Sequence, residues 1–342
     1  MKSALYIVCA VLFFLNLNTY GQVVNSASSM DDLLQVFEDN KERGLEDANT
    51  LLEGYLKPLA RGLNYGLSSG WVNTAEAHKT GGFDLTFTTA LVRIPKRDYY
   101  FEALNLLELE VINPPDGNLP TFFGSHITPT FQHKSTGTQF DGVSGIGLEN
   151  NDFLKSLPVP MVQLRVGVIK DTDLSFRYIP SLDMSPDRLS FRMFGAGIMH
   201  NIKQHIPVLK KAPFELAAFA GYNNVSFSTD LSSTLDGTQT GEFNIQTLSL
   251  MAMASKRITL LTVYGGVGTT VSRFNLKMLG QYDLNNDPTV FELEDPIDLK
   301  VNNLGPKATA GIMLKLAVIT LHSDISFPLY NTFTFGFGIS IR

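Results

Sequence analysis

One cysteine, one tryptophan and six histidines occur in 342 residues, and charged residues make up only 18%. The cysteine, Cys9, falls within the first 21 residues. A chain that has lost those residues carries no thiol, which excludes a disulfide scaffold and a thiolate metal site. Positive charge is scarce too: 27 basic against 33 acidic residues give a net charge of -6, the wrong sign for a nucleic-acid partner held through its phosphates. No segment past the N-terminus has the roughly 20 consecutive apolar residues of a membrane helix. There is no G-x-S-x-G element, so the serine elbow of many hydrolases is missing. His200 and His205 lie five apart without a carboxylate at ligand spacing. Neither metal nor cofactor is expected, and no enzyme.

Alternation is what the chain has in abundance. The terminal run TFTFGFGISIR puts Phe333, Phe335, Phe337, Ile339 and Ile341 on one face of a strand and Thr334, Gly336, Gly338 and Ser340 on the other. That pattern fits a wall with lipid on one side and a packed or wet lumen on the other. The N-terminal MKSALYIVCAVLFFLNLNTYGQ reads as a secretory signal peptide over residues 1–21, too short to span a bilayer. Residues 22–58 read as a helical plug, with Asp31 and Asp32 in a first turn, Gly44 dividing two helices and Pro58 ending the second.

From residue 59 to 342 the period is two. The segments include GLNYGLSSGW, the run at 83–87 and one at 100–112, and they predict an all-β, transmembrane, antiparallel up-and-down barrel of about twelve strands, within a range of 10 to 14. Trp71, Tyr65, Phe83 and Tyr222 are candidates for aromatic girdles. Connection lengths sort by parity with two exceptions: NIKQHIPVLKKAP (201–213) is long for its end and PLYN is short for its end. PKRD (95–98), KDTD (170–173), ASKR (254–257) and AV (317–318) are short and share the end where the last strand stops, while 113–157, 229–242 and 279–306 are long and share the other. Short periplasmic turns with long external loops are expected of an outer-membrane barrel, and the plug is then expected at the periplasmic mouth.

The chain resembles an uncharacterised family of outer-membrane barrel proteins from the Bacteroidota. The likeness is carried by LPVPMVQLRVGVIKDTDLSFRYIP (157–180), FGAGIMHNIKQHIP (194–207), NTAEAHKTGGFDLTF (73–87) and FGFGISIR. A more distant likeness is to the long-chain fatty-acid transporter class, which implies a plugged barrel taking a hydrophobic anion. The expected setting is the outer membrane, as a monomer in contact with its lipid.

Candidate lumen residues follow from the faces. In VQLRVGVIKDTDLSFRY, Val162, Leu164, Val166, Val168, Leu174, Phe176 and Tyr178 are assigned to lipid, and Gln163, Arg165, Ser175 and Arg177 to the lumen. A three-residue connection at 170–172 sets Arg165 opposite Arg177, and Arg192 is inward if Phe191 and Met193 face out. Like charges across a ladder need compensation, from plug acids such as Asp31, Asp32, Glu38 and Asp39 or from an anionic ligand. Lys315, His322 and Asp324 complete the inward polar set. The leading expectation is passive passage or binding of a small hydrophobic or anionic solute, and its rival is an interaction barrel with a filled lumen. A His322–Asp324 esterase stands a distant third.

Overall fold

The computed structural model describes residues 41–148, 155–184, 189–230, 239–282 and 293–341. Residues 1–21, expected to be a signal peptide, and residues 22–40 of the expected plug, with Asp31, Asp32, Glu38 and Asp39, lie outside the described residues.

Ten strands form one closed antiparallel barrel: β1 (Phe83–Arg93), β2 (Ser156–Ile169), β3 (Thr172–Met184), β4 (Leu189–Asn201), β5 (Glu215–Asp230), β6 (Thr240–Ile258), β7 (Leu261–Leu279), β8 (Ile297–Leu316), β9 (Ile319–Phe327) and β10 (Thr332–Ile341). Each pairs with its sequence neighbours, and β10 closes on β1 with Phe83 opposite Ile341 and Val92 opposite Thr332. The terminal strand therefore has both backbone edges paired, which removes the exposed edge of an open sheet.

The expected count of about twelve is too high by two segments. Residues 63–71 form the end of a helix and a turn inside the barrel, and 100–112 belongs to the β1–β2 connection. That connection, 94–155, holds two small sheets, one of Tyr100–Glu102 with Asn118–Pro120 and one of Leu109–Asn113, Thr130–His133 and Gln139–Asp141. PKRD is thus the start of a long link rather than a short turn. Links 170–171, 259–260 and 317–318 share the end where β10 stops, and the links bearing 94–155, 231–239 and 280–296 share the opposite end; the long link 202–214 at the first end and the short link 328–331 at the second are the exceptions.

The wall obeys the period. Phe333, Phe335, Phe337, Ile339 and Ile341 are exposed on the outer face, while Thr332, Thr334 and Ser340 are buried inside. Across the seam Phe87 stacks on Phe337 at 5.3 Å. The exposed apolar set extends to Leu164, Phe176, Tyr178, Leu248, Leu250, Val263, Val267, Ile312, Leu321 and Ile325 on other strands. Large apolar side chains on the outside and threonine, serine and asparagine on the inside invert the arrangement of a soluble protein and match a wall surrounded by lipid.

One α-helix, α1 (Lys41–Leu67), is present among the described residues. Gly44 and Pro58 both lie within it, so neither divides nor ends it. Close to Pro58, the Tyr55 carbonyl accepts a bond from Phe122 N at 3.0 Å, which ties this turn of the helix to the connection beside it. Leu45, Ala48 and Leu52 pack against apolar residues on one side, whereas from Tyr65 to Leu67 the helix is buried all round.

Candidate functional site

The lumen is the site, and the chain's own residues occupy it. The first half of α1 stands outside the barrel on the 94–155 connection, at the end bearing the long links and not at the end where β10 stops. Asp47 accepts backbone bonds from Leu107, Glu108 and Leu109 at 2.6, 2.8 and 3.0 Å, Arg43 pairs with Glu108 at 2.8 Å, and Tyr55 OH donates to the Ser144 carbonyl at 3.0 Å. At the mouth, Tyr330 OH donates to Asp98 at 2.6 Å, with Arg61 3.8 Å from the same carboxylate. Burial, reinforced by Asp98, pushes the Tyr330 hydroxyl above the usual phenol range.

The helix then descends along β1 and β2 on a face of glycines. A Cβ at Gly62 would stand 3.1 Å from Leu157, and at Gly66 2.5 Å from Val159. Gly62 and Gly66 are four apart and so share one helical face, where only hydrogen lets the backbone lie on the wall, while Gly54, higher on the helix, meets Phe101 of the cap. The opposite side is filled by an inward aromatic row in which Phe191 meets Phe227 at 4.8 Å, Phe227 meets Phe243 at 5.2 Å and Phe243 meets Phe274 at 4.5 Å.

The helix ends in mid-lumen, where its last carbonyls need donors. Arg177 Nη1 donates to the Leu67 carbonyl at 2.7 Å and Nη2 to the Ser69 carbonyl at 2.8 Å; Asn223 also reaches Leu67 O, at 3.0 Å, and Lys307 Nζ reaches Ser68 O at 2.6 Å. Arg177 lies 3.6 Å from the centre of the Trp71 ring and donates through Nε to Gln163 at 3.0 Å. Two cations thus sit on the negative end of a helix dipole with a π face beneath one of them, a set of partners that stands in for a carboxylate.

Below this level Arg165 makes an ionic cluster. Its Nη2 and Nε lie 2.5 and 3.1 Å from Oδ2 of Asp84, Nη2 also donates to Asn73 at 3.0 Å, and Nε is 3.6 Å from Asp173. His78 Nδ1 meets Asp173 Oδ2 at 2.9 Å, and the His78 backbone N–H donates to Oδ1 of the same carboxylate at 2.9 Å. The lumenal chain leaves the barrel through Gly81 N to Gly167 O and Gly167 N to Gly82 O, each 2.9 Å.

The predicted site residues are therefore dispersed. Arg165 and Arg177 are inward and buried as expected, yet they are not opposed: Gln163 faces Arg177 and Arg165 faces Ser175, because the connection has two residues and a bulge lies between Gly167 and Ile169. Their described partners are wall carboxylates and helix carbonyls. Arg192 is exposed on the outer face, because Met193, Met199 and Phe191 turn inward on β4. Met193 pairs with Ile179 on one side and Val225 on the other, both buried, so the strand's own alternation turns Arg192 outward, and the bulge between Ile179 and Leu182 lies on β3. Lys315 lies near the short-turn end and donates to Ser340 Oγ at 3.0 Å. His322 is buried against Gly336, and no hydrogen bond joins it to Asp324 among the described residues; Asp324 instead accepts from Tyr264 OH at 2.9 Å. Tyr65 and Trp71 are buried in the lumen, not in a girdle, while Phe83 and Tyr222 do face outward.

Sequence reasoning missed Asp84, Asp173, His78, Asn223 and Lys307. Three of these had a signal. Asp84, Asn223 and Lys307 are polar residues at lumen parity in strands whose alternation was recognised. His78 and Asp173 meet across 95 positions, and nothing local links them.

Among curated proteins none matches the chain. Similar solved structures include the attachment invasion locus protein Ail of Yersinia pestis in complex with the heparin analogue sucrose octasulfate, 7% identical with a TM-score of 0.28, covering 77% of this chain and 99% of that one. The translocator domain of autotransporter NalP from Neisseria meningitidis is 12% identical with a TM-score of 0.28, covering 78% and 90%. The outer membrane protease OmpT from Escherichia coli is 8% identical with a TM-score of 0.27, covering 76% and 93%. At these scores the likenesses add nothing to the argument from geometry. The sequence itself is decisive, since the model described as "Family of unknown function (DUF6588)" matches residues 1–341, and the chain belongs to that family.

Proposed function

We propose that the chain is an outer-membrane barrel closed by its own segment 59–82, and that its working surface is the folded cap formed by residues 41–57 and 94–148 on the outer side. The apolar outer wall supports the membrane setting, and the clustering of long links at the cap end supports the orientation. The observation that carries the closed reading is the commitment of Arg177 and Lys307, both buried, to the carbonyls that end α1. An anionic solute would have to displace those carbonyls. Passage of a small hydrophobic or anionic solute, the leading expectation from sequence, thus requires the lumenal segment to leave. The cap offers Leu104, Ile112 and Ile127 exposed beyond the barrel, which suits contact with a macromolecule.

Conductance across a planar bilayer tests closure. A Cβ at Gly70 would stand 3.6 Å from that of Thr88, within disulfide range, so a Gly70→Cys/Thr88→Cys pair locks the segment to the wall. The expected result is no steady pore current with or without the lock. A steady current that the lock abolishes would overturn the closed reading and restore the solute channel. Orientation has its own test: Glu42→Cys is expected to react with a membrane-impermeant maleimide on intact cells and Lys210→Cys is not.

A further inference from the structure

The long link 202–214 joins two adjacent antiparallel strands, β4 and β5, a connection that two residues can make. Its charge is one-sided: Lys203, His205, Lys210 and Lys211 stand in it with no acid. Lys203 is paired with Glu215 at 3.0 Å, and the Asn201 amide donates to the same carboxylate at 2.7 Å. Lys210 and Lys211 are exposed, and neither has an ion pair or a hydrogen bond among the described residues. Val208 beside them is 89% exposed.

Next to this link the outer wall is hollowed. A depression of about 600 Å³ lies on the lipid face of β4 to β7. Strand pairing sets its floor: His200, Ala218, Ala252 and Val267 lie in one row, and Ile198, Ala220, Leu250 and Thr269 in the next. The three alanines lie low between Ile198, Leu250 and Val267, which are exposed ridges. The link is fastened at the foot of this trough, where Nε2 of His205 is 3.0 Å from Nε2 of His200 and Thr172 Oγ1 is 2.8 Å from Nδ1 of His200.

Trough and link together suit one kind of molecule. A chain of methylenes in the trough meets wall atoms on its flanks as well as beneath it, and so gains dispersion contacts that a flat wall does not offer. Paired ammonium groups at the foot suit a phosphate, and an exposed valine beside them suits the border of the acyl layer. The scarcity of acid discriminates among heads. An ethanolamine head brings its own ammonium and finds Glu215 already paired, whereas a glycerol head brings no positive charge.

We propose that this site binds an anionic phospholipid of the periplasmic leaflet, with its phosphate on Lys210 and Lys211 and one acyl chain over Ala218, Ala220 and Ala252. The leaflet rests on the orientation given above. Binding in detergent does not, so the maleimide labelling and the lipid titration fail separately, and neither depends on whether the lumen is closed.

The test is native mass spectrometry of the full mature chain in detergent, titrated with phosphatidylglycerol, phosphatidylethanolamine of the same acyl chains, and glycerol phosphate. Phosphatidylglycerol is expected to bind at one equivalent, at least tenfold more tightly than phosphatidylethanolamine and at least a hundredfold more tightly than glycerol phosphate. Lys210→Gln/Lys211→Gln is expected to lower the phosphatidylglycerol affinity at least tenfold and to leave phosphatidylethanolamine within twofold. Ala220→Phe fills the trough from the lipid side and is expected to weaken both lipids at least fivefold. Lys256→Gln/Arg257→Gln, two other exposed cations at the same end of the barrel, is expected to stay within twofold of the parent. Each variant is first shown to keep the heat-dependent gel shift of a folded barrel, and the exposed lysine pair provides the reading if Ala220→Phe does not fold. Equal binding of the two phospholipids, equal losses from the two cation pairs, or indifference of a folded Ala220→Phe would overturn the proposal.

Discussion

Arg165 and Arg177 lie on adjacent strands, both buried, and they are satisfied in opposite ways. Arg165 sits among carboxylates, with Asp84 at 2.5 Å and Asp173 at 3.6 Å, in a cluster completed by His78. Arg177 has no carboxylate within salt-bridge distance among the described residues and rests on the Leu67 and Ser69 carbonyls and the Trp71 ring. The lower cluster ties wall to wall and ties in the descending chain through His78, whereas the upper one ties the wall to the end of a helix. A buried cation thus identifies its partner poorly from sequence, because a helix end can replace an acid. The lower cluster would persist if the helix moved, but the upper would lose its partners together.

The largest effect expected is from charge placed where neither cluster can absorb it. Thr334 is fully buried facing Asp324, so Thr334→Arg overfills a packed lumen and is expected to abolish the folded band on a semi-native gel. Phe335→Arg, on the lipid face, is expected to cost about 2 to 4 kcal/mol and leave some folded protein. Here the structure reverses the milder outcome that a wet inner face predicts; a well-folded Thr334→Arg would mean that the lumen is open at that level.

Next in size is Arg177→Gln, which removes the charged clamp and leaves the helix carbonyls short of donors, at about 3 to 5 kcal/mol. The expected signature is faster tryptic cleavage after Arg61 or Lys79 together with a lower unfolding temperature. Protection equal to the parent would show that Lys307 and Asn223 suffice.

Asp84→Asn strands Arg165 and is expected to cost about 2 to 3 kcal/mol, most of it recovered in the Asp84→Asn/Arg165→Met double variant, because removing both partners spares the unpaired charge. Additive losses in thermal unfolding would place the stabilisation elsewhere. Smaller again is Trp71→Leu, which deletes the π face under Arg177. It is expected to cost about 1 to 2 kcal/mol beyond the lost packing, read as coupling to Arg177→Gln in a double-mutant cycle. Arg192→Gln, on the outer face, is the comparison with no expected change in unfolding temperature.

The chain wrote some of this plainly. Alternation in β2, β3 and β10 assigned inside and outside correctly, since a wall between lipid and a packed interior imposes its period on every residue it contains. It failed at GLNYGLSSGW, where Gly62 and Gly66 also satisfy a repeat of four. Large and small residues alternate there by coincidence with the helical face, and that repeat was the signal that resolved it. It failed again on β4, where the large apolar Phe191 and Met193 face a packed lumen rather than lipid, so that Arg192 between them turns outward.

By itself the sequence determined that this is a barrel with an apolar outside, and that most of its connections are long at one end and short at the other. Those properties are local: side-chain parity and the spacing between alternating runs do not depend on what lies across the lumen. Only the tertiary structure decided the number of strands, the end at which α1 enters and the partner of each buried cation. Such contacts join Arg177 to Leu67 over 110 positions and Lys307 to Ser68 over 239, and a lumen can fill itself with any segment that meets its polar groups. Hydrogen-bond satisfaction inside a closed wall is a property of the assembled space, and no stretch of chain carries it alone.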